Sequence, residues 1–316
     1  MRPASEAELA EAVRGATGPL AIRGGGTRGM AVDGEVLETL ETLETGGLSG
    51  IALYEPGALT LVARAGTPVA EIEATLAAEG QRLAFEPMDH RALMGTKGAA
   101  TIGGVAAANV SGPRRIQVGA ARDFLLGLRL VDGRGEVLKN GGRVMKNVTG
   151  YDLVRLMAGA HGTLGVLTEV ALKVLPRPET EATLRCEGLT PGAAVAAMSR
   201  ALGSPYEVTG AAHQPGGATL LRLEGFDGSV AYRAGALRDL LGGEWEVVEA
   251  EASAGLWRGV RDVAPLAEVA GDVWRVSVRP SDGPAALERL AAEAALMDWG
   301  GGLIWAALPA GTDARA

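Results

Sequence analysis

The chain has 316 residues, 47% of them apolar, which is enough to bury two ordinary cores. Its formal net charge of −8 argues against a general attraction to nucleic acid or to an anionic membrane. A single cysteine, Cys186, excludes an internal disulfide and a four-cysteine iron–sulfur cluster held by this chain alone.

In chain order, "MRPASEAELAEAVRGATG" opens with a capping box, Ser5 with Glu8, ahead of an amphipathic helix ending near Gly15. It has no continuous apolar core of the kind a secretory signal needs, and no run anywhere approaches the ~18 apolar residues of a membrane span. The expectation is a cytoplasmic protein without an integral membrane segment. "PLAIR" (19–23) predicts a strand that runs into "GGGTRG" (24–29). "VLETLETLET" (36–45) repeats at period three and fits neither helix nor strand. A strand with a following turn is predicted over 58–68 and a helix over 69–81, with Gly80 at its C-cap. The stretch 82–115 is rich in glycine and alanine. Two strands joined by a DGRG turn follow over 124–142, then a short helix over 151–162 and a strand over 166–176.

"PRPETE" (176–181) breaks the pattern with two prolines and clustered charge, which divides the chain into domains 1–177 and 178–316. Beyond it the pattern predicts strands at 182–186, 206–213, 218–224, 244–250 and 272–279. Helices are predicted at 191–202, 229–241, 252–262 and 283–295. This is an α+β arrangement, read as a mixed or antiparallel sheet with helices on one face.

Four glycines within six positions cost stability unless the backbone needs them. They are either a tight turn or a nest of N–H groups for an anion, with Arg23 and Arg28 alongside. "GGGTRG" also satisfies G-x-G-x-x-G, but no helical stripe follows and the βαβ unit is missing, so a Rossmann site is not expected. No G-K-[ST] follows the glycines, which excludes a P-loop.

The strand–RGGGT block, "VARAGTPVAEIEATLAAEGQRLAFEP", "TIGGVAAANVSGPRR" and "GGRVMKNVTGYDLVRLMAGAHGTLGVLTEVALKVLP" occur in the order of the vanillyl-alcohol-oxidase-type (PCMH-type) FAD-binding fold. "GPRR", "VMKNVTGYDL", "GVLTEVALKVLPRP" and "DWGG" further resemble the FAD-binding, E-type subunit of bacterial glycolate oxidases, from about residue 19 to residue 307. The resemblance implies FAD between two subdomains, with the pyrophosphate on Arg23, Gly24, Gly25, Gly26 and Thr27. Pro87, Gly103, Gly104, Ala108, Asn109 and Ser111 match the segment beside the flavin, and Gly165 and Val166 the adenine-side contact. Some members tether FAD through a histidine directly after the glycines. Thr27 stands there, so non-covalent FAD is expected.

Oxidation of a 2-hydroxy acid requires a base for the hydroxyl proton and a cation for the carboxylate. His90 in "PMDHRA" is the candidate base. His161 is read as a structural neighbour of the flavin site and His213 as a solvated residue near a turn. No histidine pair has metal-ligand spacing, so no metal is expected. Among the arginines suited to a carboxylate, Arg114, Arg115 and Arg275, the candidate is Arg275 in "DVWRVSV". Lys146, Asn147 and Tyr151 form a polar cluster before a helix. Trp274, Trp299 and Trp305 are read as core or as flavin cover.

The implied function is an FAD-binding subunit of a glycolate (2-hydroxy acid) oxidising complex. Its expected partners are a second FAD-type subunit and an iron–sulfur subunit, the complex lying peripherally at the inner membrane. The alternatives are a non-catalytic FAD-containing scaffold for a catalytic paralogue and a self-sufficient hydroxy-acid or polyol oxidase. Relatives continue for several dozen residues past "DWGG" to an N-P-G-R-like motif, a tail that this sequence, ending "AALPAGTDARA", is expected to lack.

Overall fold

The computed structural model describes residues 1–28, 40–143 and 150–314. It divides into two units, Met1–Ser111 with Gly119–Arg177, and Gly112–Val118 with Pro178–Ala316. The second unit therefore takes a seven-residue excursion out of the middle of the first, which the expected boundary at 177/178 does not contain. Lys146, Asn147 and the start of the 36–45 repeat lie outside the described residues.

In the first unit, chain order is α1 (Glu6–Gly15), β1 (Leu20–Arg23), β2 (Glu41–Glu44), β3 (Ile51–Glu55), β4 (Thr60–Arg64), α2 (Val69–Ala78) and β5 (Gln81–Arg82). Next come α3 (Arg91–Met94) and α4 (Ile102–Ala107); α5 (Arg115–Val118) belongs to the second unit. The first unit resumes with α6 (Ala121–Phe124), β6 (Leu125–Val131), β7 (Val137–Gly141), α7 (Leu153–Met157), β8 (Val166–Lys173) and β9 (Leu175–Pro176).

Ser5 caps the helix as expected, its Oγ accepting the Glu8 N–H at 3.2 Å, but the Glu8 carboxylate takes the N–H of Ala4, one residue before the N-cap, at 2.9 Å, so the reciprocal half of the box is shifted by one residue. That cap sets the register in which Leu9 and Ala10 reach Leu43, Leu48, Val131 and Val166. The five-stranded sheet, ordered β3-β4-β8-β6-β7, is antiparallel throughout. β8 lies at its centre and is buried along most of its length, with Glu169 and Lys173 its two half-buried positions. β1 and β2 pair in parallel, so the end of the period-three repeat is a strand.

The second unit continues with β10 (Thr180–Glu187), α8 (Pro191–Leu202), β11 (Gly210–His213), β12 (Ala218–Gly225), α9 (Asp227–Leu241) and β13 (Glu246–Glu249). It closes with α10 (Ala250–Arg261), β14 (Asp272–Ser277), α11 (Gly283–Leu290), β15 (Ala294–Asp298) and β16 (Leu303–Leu308). The sheet, β13-β10-β12-β11-β15-β16-β14, is antiparallel at every pairing, the second of the two arrangements expected. The expectation of helices on one face is corrected: the helices of this unit cover both. Ala182, Leu184, Leu221 and Leu223 join α8 and α9 side chains in one core. The alternate residues turn to α10, where Trp257 Nε1 donates to Thr183 Oγ1 at 2.8 Å and Arg222 stacks 4.6 Å over the Trp257 ring. Gly210 is glycine because a Cβ there would press into that indole.

The helix predicted over 283–295 stops at Leu290, where Ala291 turns left-handed (φ 46°). The alanines that favour helix by propensity instead enter a buried strand, because Ala294–Asp298 pair with Leu303–Ala307. Arg114 sits in a buried ion pair with Glu224, whose carboxylate also lies 3.7 Å from Arg222. That pair anchors the excursion inside the second unit.

His213 is fully buried, not solvated, and its Nδ1 lies 2.9 Å from Thr219 Oγ1. Burial pushes its pKa below the ordinary 6.5. The sign follows: as pH falls through 6.5 the unfolded chain takes the proton first, so stability is lost on acidification and is fully present above that pH. His213→Asn keeps a partner for Thr219 and removes the proton site. The fall in melting temperature between neutral and mildly acidic pH should be smaller in this variant than in the parent. Equal falls would mean that His213 does not titrate on unfolding.

Candidate functional site

The glycine run after β1 is held by backbone against backbone. A Cβ on Gly25 would collide with the Ala99 carbonyl, and a Cβ on Gly98 with the Gly25 carbonyl. The expected reason for Gly25, clearance for an anion, is corrected: its side-chain space is occupied by another strand of main chain. The neighbouring carbonyls are used, Arg23 O by the Thr45 hydroxyl at 3.4 Å and Thr27 O by the Thr96 hydroxyl at 2.9 Å. The amides are not. No backbone carbonyl among the described residues takes the N–H groups of Gly24, Gly25, Gly26 or Thr27.

Successive unpaired N–H groups of this kind make an anion-binding concavity. These four line a cleft of about 210 Å³ together with Arg23 and Arg28. Its other walls are largely apolar, with Ile22, Ala65, Met88, Val105, Val110 and Leu167, broken by Thr45, Thr101 and two histidines. Polar cradle and apolar wall together suit a ligand that carries both phosphate and a flat ring.

Gly103, Gly104, Ala108, Gly165 and Val166 also lie on the cleft. Gly103 is needed there for packing, since a Cβ would strike Ala65, whose carbonyl takes the Gly103 N–H at 2.8 Å. Pro87, Asn109 and Ser111 are not on its wall. Asn109 Oδ1 accepts from Arg122 N, and Ser111 Oγ bonds Asn109 O and Ala121 N, so both side chains serve the turn.

His90 lies half-buried on the cleft wall. His161 shares that wall, at a left-handed backbone position (φ 52°), with its N–H on Ala107 O at 2.8 Å. Burial, and after it the Arg28 charge, lowers its pKa below 6.5, so the ring is neutral at neutral pH. Sequence reasoning placed His161 behind the site and left Arg28 beside it. Arg275 belongs to β14 in the second unit.

Size alone would select a different cavity. One of about 960 Å³ lies in the second unit, lined by Arg185, Cys186, Glu187, Arg200, Arg238, Glu244 and Glu246 among others. Its charges are of both signs, and Arg185 is paired with Glu187 and Glu246. Burial first, then Glu244 and Glu187, raises the Cys186 pKa, which keeps this thiol protonated.

Residues 1–141 match the family described as FAD binding domain, and the fold is that of a PCMH-type FAD-binding protein. Alkyldihydroxyacetonephosphate synthase superposes with a TM-score of 0.68 at 16% identity, covering 96% of this chain and 67% of that one, a likeness of fold. The glycolate oxidase subunit GlcE of Escherichia coli (strain K12) is 40% identical over 291 residues, 91% of this chain and 75% of that protein. The chain belongs to the family of that subunit. The glycolate oxidase subunit GlcD of Bacillus subtilis (strain 168) is 45% identical over 84 residues, 27% of this chain and 18% of its own length. D-lactate dehydrogenase of Anaerostipes hadrus is 42% identical over 85 residues, again 27% and 18%.

The backbone contact makes an unusual prediction. Gly98 is not on the cleft, yet Gly98→Ala should lower FAD retention as Gly25→Ala does, because either methyl forces the two strands apart. Gly133→Ala faces open space and serves as the control. Flavin-to-protein absorbance after gel filtration reads the effect, and full retention in Gly98→Ala would show that the loop does not depend on this contact.

Proposed function

We propose that this chain is the FAD-binding subunit of a complex that oxidises glycolate or a similar 2-hydroxy acid, passing electrons through FAD to an iron–sulfur partner. The observation that carries the reading is the run of amides on Gly24–Thr27 that no backbone carbonyl takes among the described residues, in a cleft with largely apolar walls. The E. coli and B. subtilis relatives, named as glycolate oxidase subunits, supply the substrate class. They also supply the second, GlcD-like flavin subunit as a partner. The iron–sulfur partner is proposed because this chain has one cysteine and cannot hold such a cluster alone.

In this reading the amides of Gly24 to Thr27 hold the diphosphate, and Arg23 and Arg28 add charge-assisted bonds. Gly103, Gly104 and Ala108 flank the ring system, and Gly165 and Val166 the adenine side. Pro87, Asn109 and Ser111 support that segment through backbone shape. Bound FAD supplies the hydride acceptor that no side chain can provide. His90 is the base for the substrate hydroxyl, and Arg275 takes the carboxylate. No described helix is long and apolar enough to cross a membrane. Attachment to the inner membrane is proposed to run through the complex.

A non-catalytic subunit that holds FAD beside a catalytic paralogue is the second reading, favoured by a shared fold segment with a GlcD-type protein. Glycolate added anaerobically to the purified chain separates the two. Bleaching of the flavin supports catalysis here, and bleaching only after a GlcD-type subunit is added supports the scaffold. Retention of the oxidised spectrum in both would remove the glycolate assignment.

The flavin should be non-covalent, since Thr27 offers no ring nitrogen and Cys186 is a protonated thiol in the other unit. Acid precipitation should carry the yellow colour into the supernatant, and the denatured chain should have its unmodified mass. An adduct mapped to His90 would place that ring on the flavin as a tether instead of a base.

A further inference from the structure

The cleft of the first unit is lined by Arg23, Arg28, His90 and His161 and, among the described residues, by no carboxylate. In a chain with 38 acidic residues against 30 lysines and arginines, that selection points to an anion. Both arginines and His90 already have a task in the reading above. His161 has none.

The backbone holds His161 in place at a cost. Its φ of 52° is left-handed, a conformation that glycine adopts freely and that strains a residue with a Cβ. The N–H groups of Gly159 and His161 both donate to Ala107 O, at 3.0 and 2.8 Å, which ties this turn to the end of α4. On the other side Gly162 packs on β1, where an added Cβ would lie 3.3 Å from Ile22 Cβ. A glycine at 161 would satisfy the same backbone contact without the strain. The chain carries an imidazole there instead, exposed along the cleft, and no described residue hydrogen-bonds either ring nitrogen.

Charge completes the geometry. Arg28 directly follows Thr27, the last of the loop amides, and its charge acts on the His161 ring. Burial first, and then this charge, keep the ring neutral at neutral pH. A diphosphate on the amides of Gly24 to Thr27 brings two negative charges to the same cleft and reverses that field. We propose that His161 is a ligand residue of this cleft, taking a proton from solvent as the diphosphate of a dinucleotide binds. The bound ring holds its proton more tightly than the free one, so binding strengthens as pH falls. Around the ring, β1 contributes Arg23, the glycine loop Arg28 and the segment before α3 His90, while α4 and β8 place no titratable side chain on the cleft. The identity of the dinucleotide as FAD rests on the function proposed above; the proton linkage rests on the cleft.

FAD and ADP-ribose are titrated calorimetrically into the full chain freed of flavin, at mildly acidic and mildly alkaline pH, in two buffers of different ionisation enthalpy. ADP-ribose carries the same kind of diphosphate without a flavin, and neither diphosphate titrates in this range. Proton uptake is expected with both ligands, and an affinity roughly fivefold higher at the acidic end. His161→Asn tolerates the left-handed backbone and keeps a hydrogen-bonding side chain but cannot titrate, so it should bind without uptake and with little pH dependence. His161→Gly, which a left-handed turn accepts freely, should also bind without uptake. His90→Gln should retain it. Uptake that persists in both His161 variants, that is lost with His90, or that is absent from a parent chain binding FAD overturns the proposal. Uptake that follows His161 with ADP-ribose, in a chain that does not bind FAD, sinks the flavin reading and leaves the linkage standing. Binding of neither ligand overturns both.

Discussion

The first unit's cleft depends on a contact that contains no side chain. Gly25 and the Gly98–Ala99 peptide touch main chain to main chain, and a methyl on either glycine closes the gap. The Thr45 and Thr96 hydroxyls take the carbonyls of Arg23 and Thr27 at the two ends of the run, while no backbone carbonyl among the described residues takes the amides of Gly24 to Thr27. Gly24, Gly25 and Gly26 are half-buried and line the cleft with Thr27, so their amides are open to water or to an acceptor-rich ligand. Glycine is required for that packing first and for the ligand only as a consequence.

The second unit shows the same economy in its charges. The Arg114–Glu224 pair is buried, with Arg222 nearby and Arg233 donating to Glu224 O at 2.7 Å. Removing one member of such a pair costs about 3–5 kcal/mol, although the intact pair adds little over an apolar packing. Its use here is specificity: it fixes where residues 112–118 sit within the unit. That placement carries Arg115 onto Trp299 beside Arg275. A buried pair thus positions its neighbour in sequence over an indole.

Several elements were legible because their signals are local. The Ser5 cap, the strand before the glycines, the 191–202 helix and the central strand at 166–173 were each written in neighbouring residues. Most of the residues assigned to the flavin by resemblance do line one cleft, even though Asn109 and Ser111 turn their side chains into the protein. His213 escaped because a polar residue beside a turn looks solvated until its strand is found in the middle of a sheet.

By itself the sequence determined what a few adjacent residues can decide: caps, turns, apolar periods and a glycine run that requires an unobstructed backbone. Only the tertiary structure decided which backbone that run meets, which of two neighbouring arginines is buried against Glu224, and that alanines 294 and 295 extend instead of coiling. The physical reason is the same in each case. Ala99 is 74 residues from Gly25, Glu224 is 110 from Arg114, and the strand partners of 294–298 lie across a turn, so the deciding energy comes from groups outside any local window.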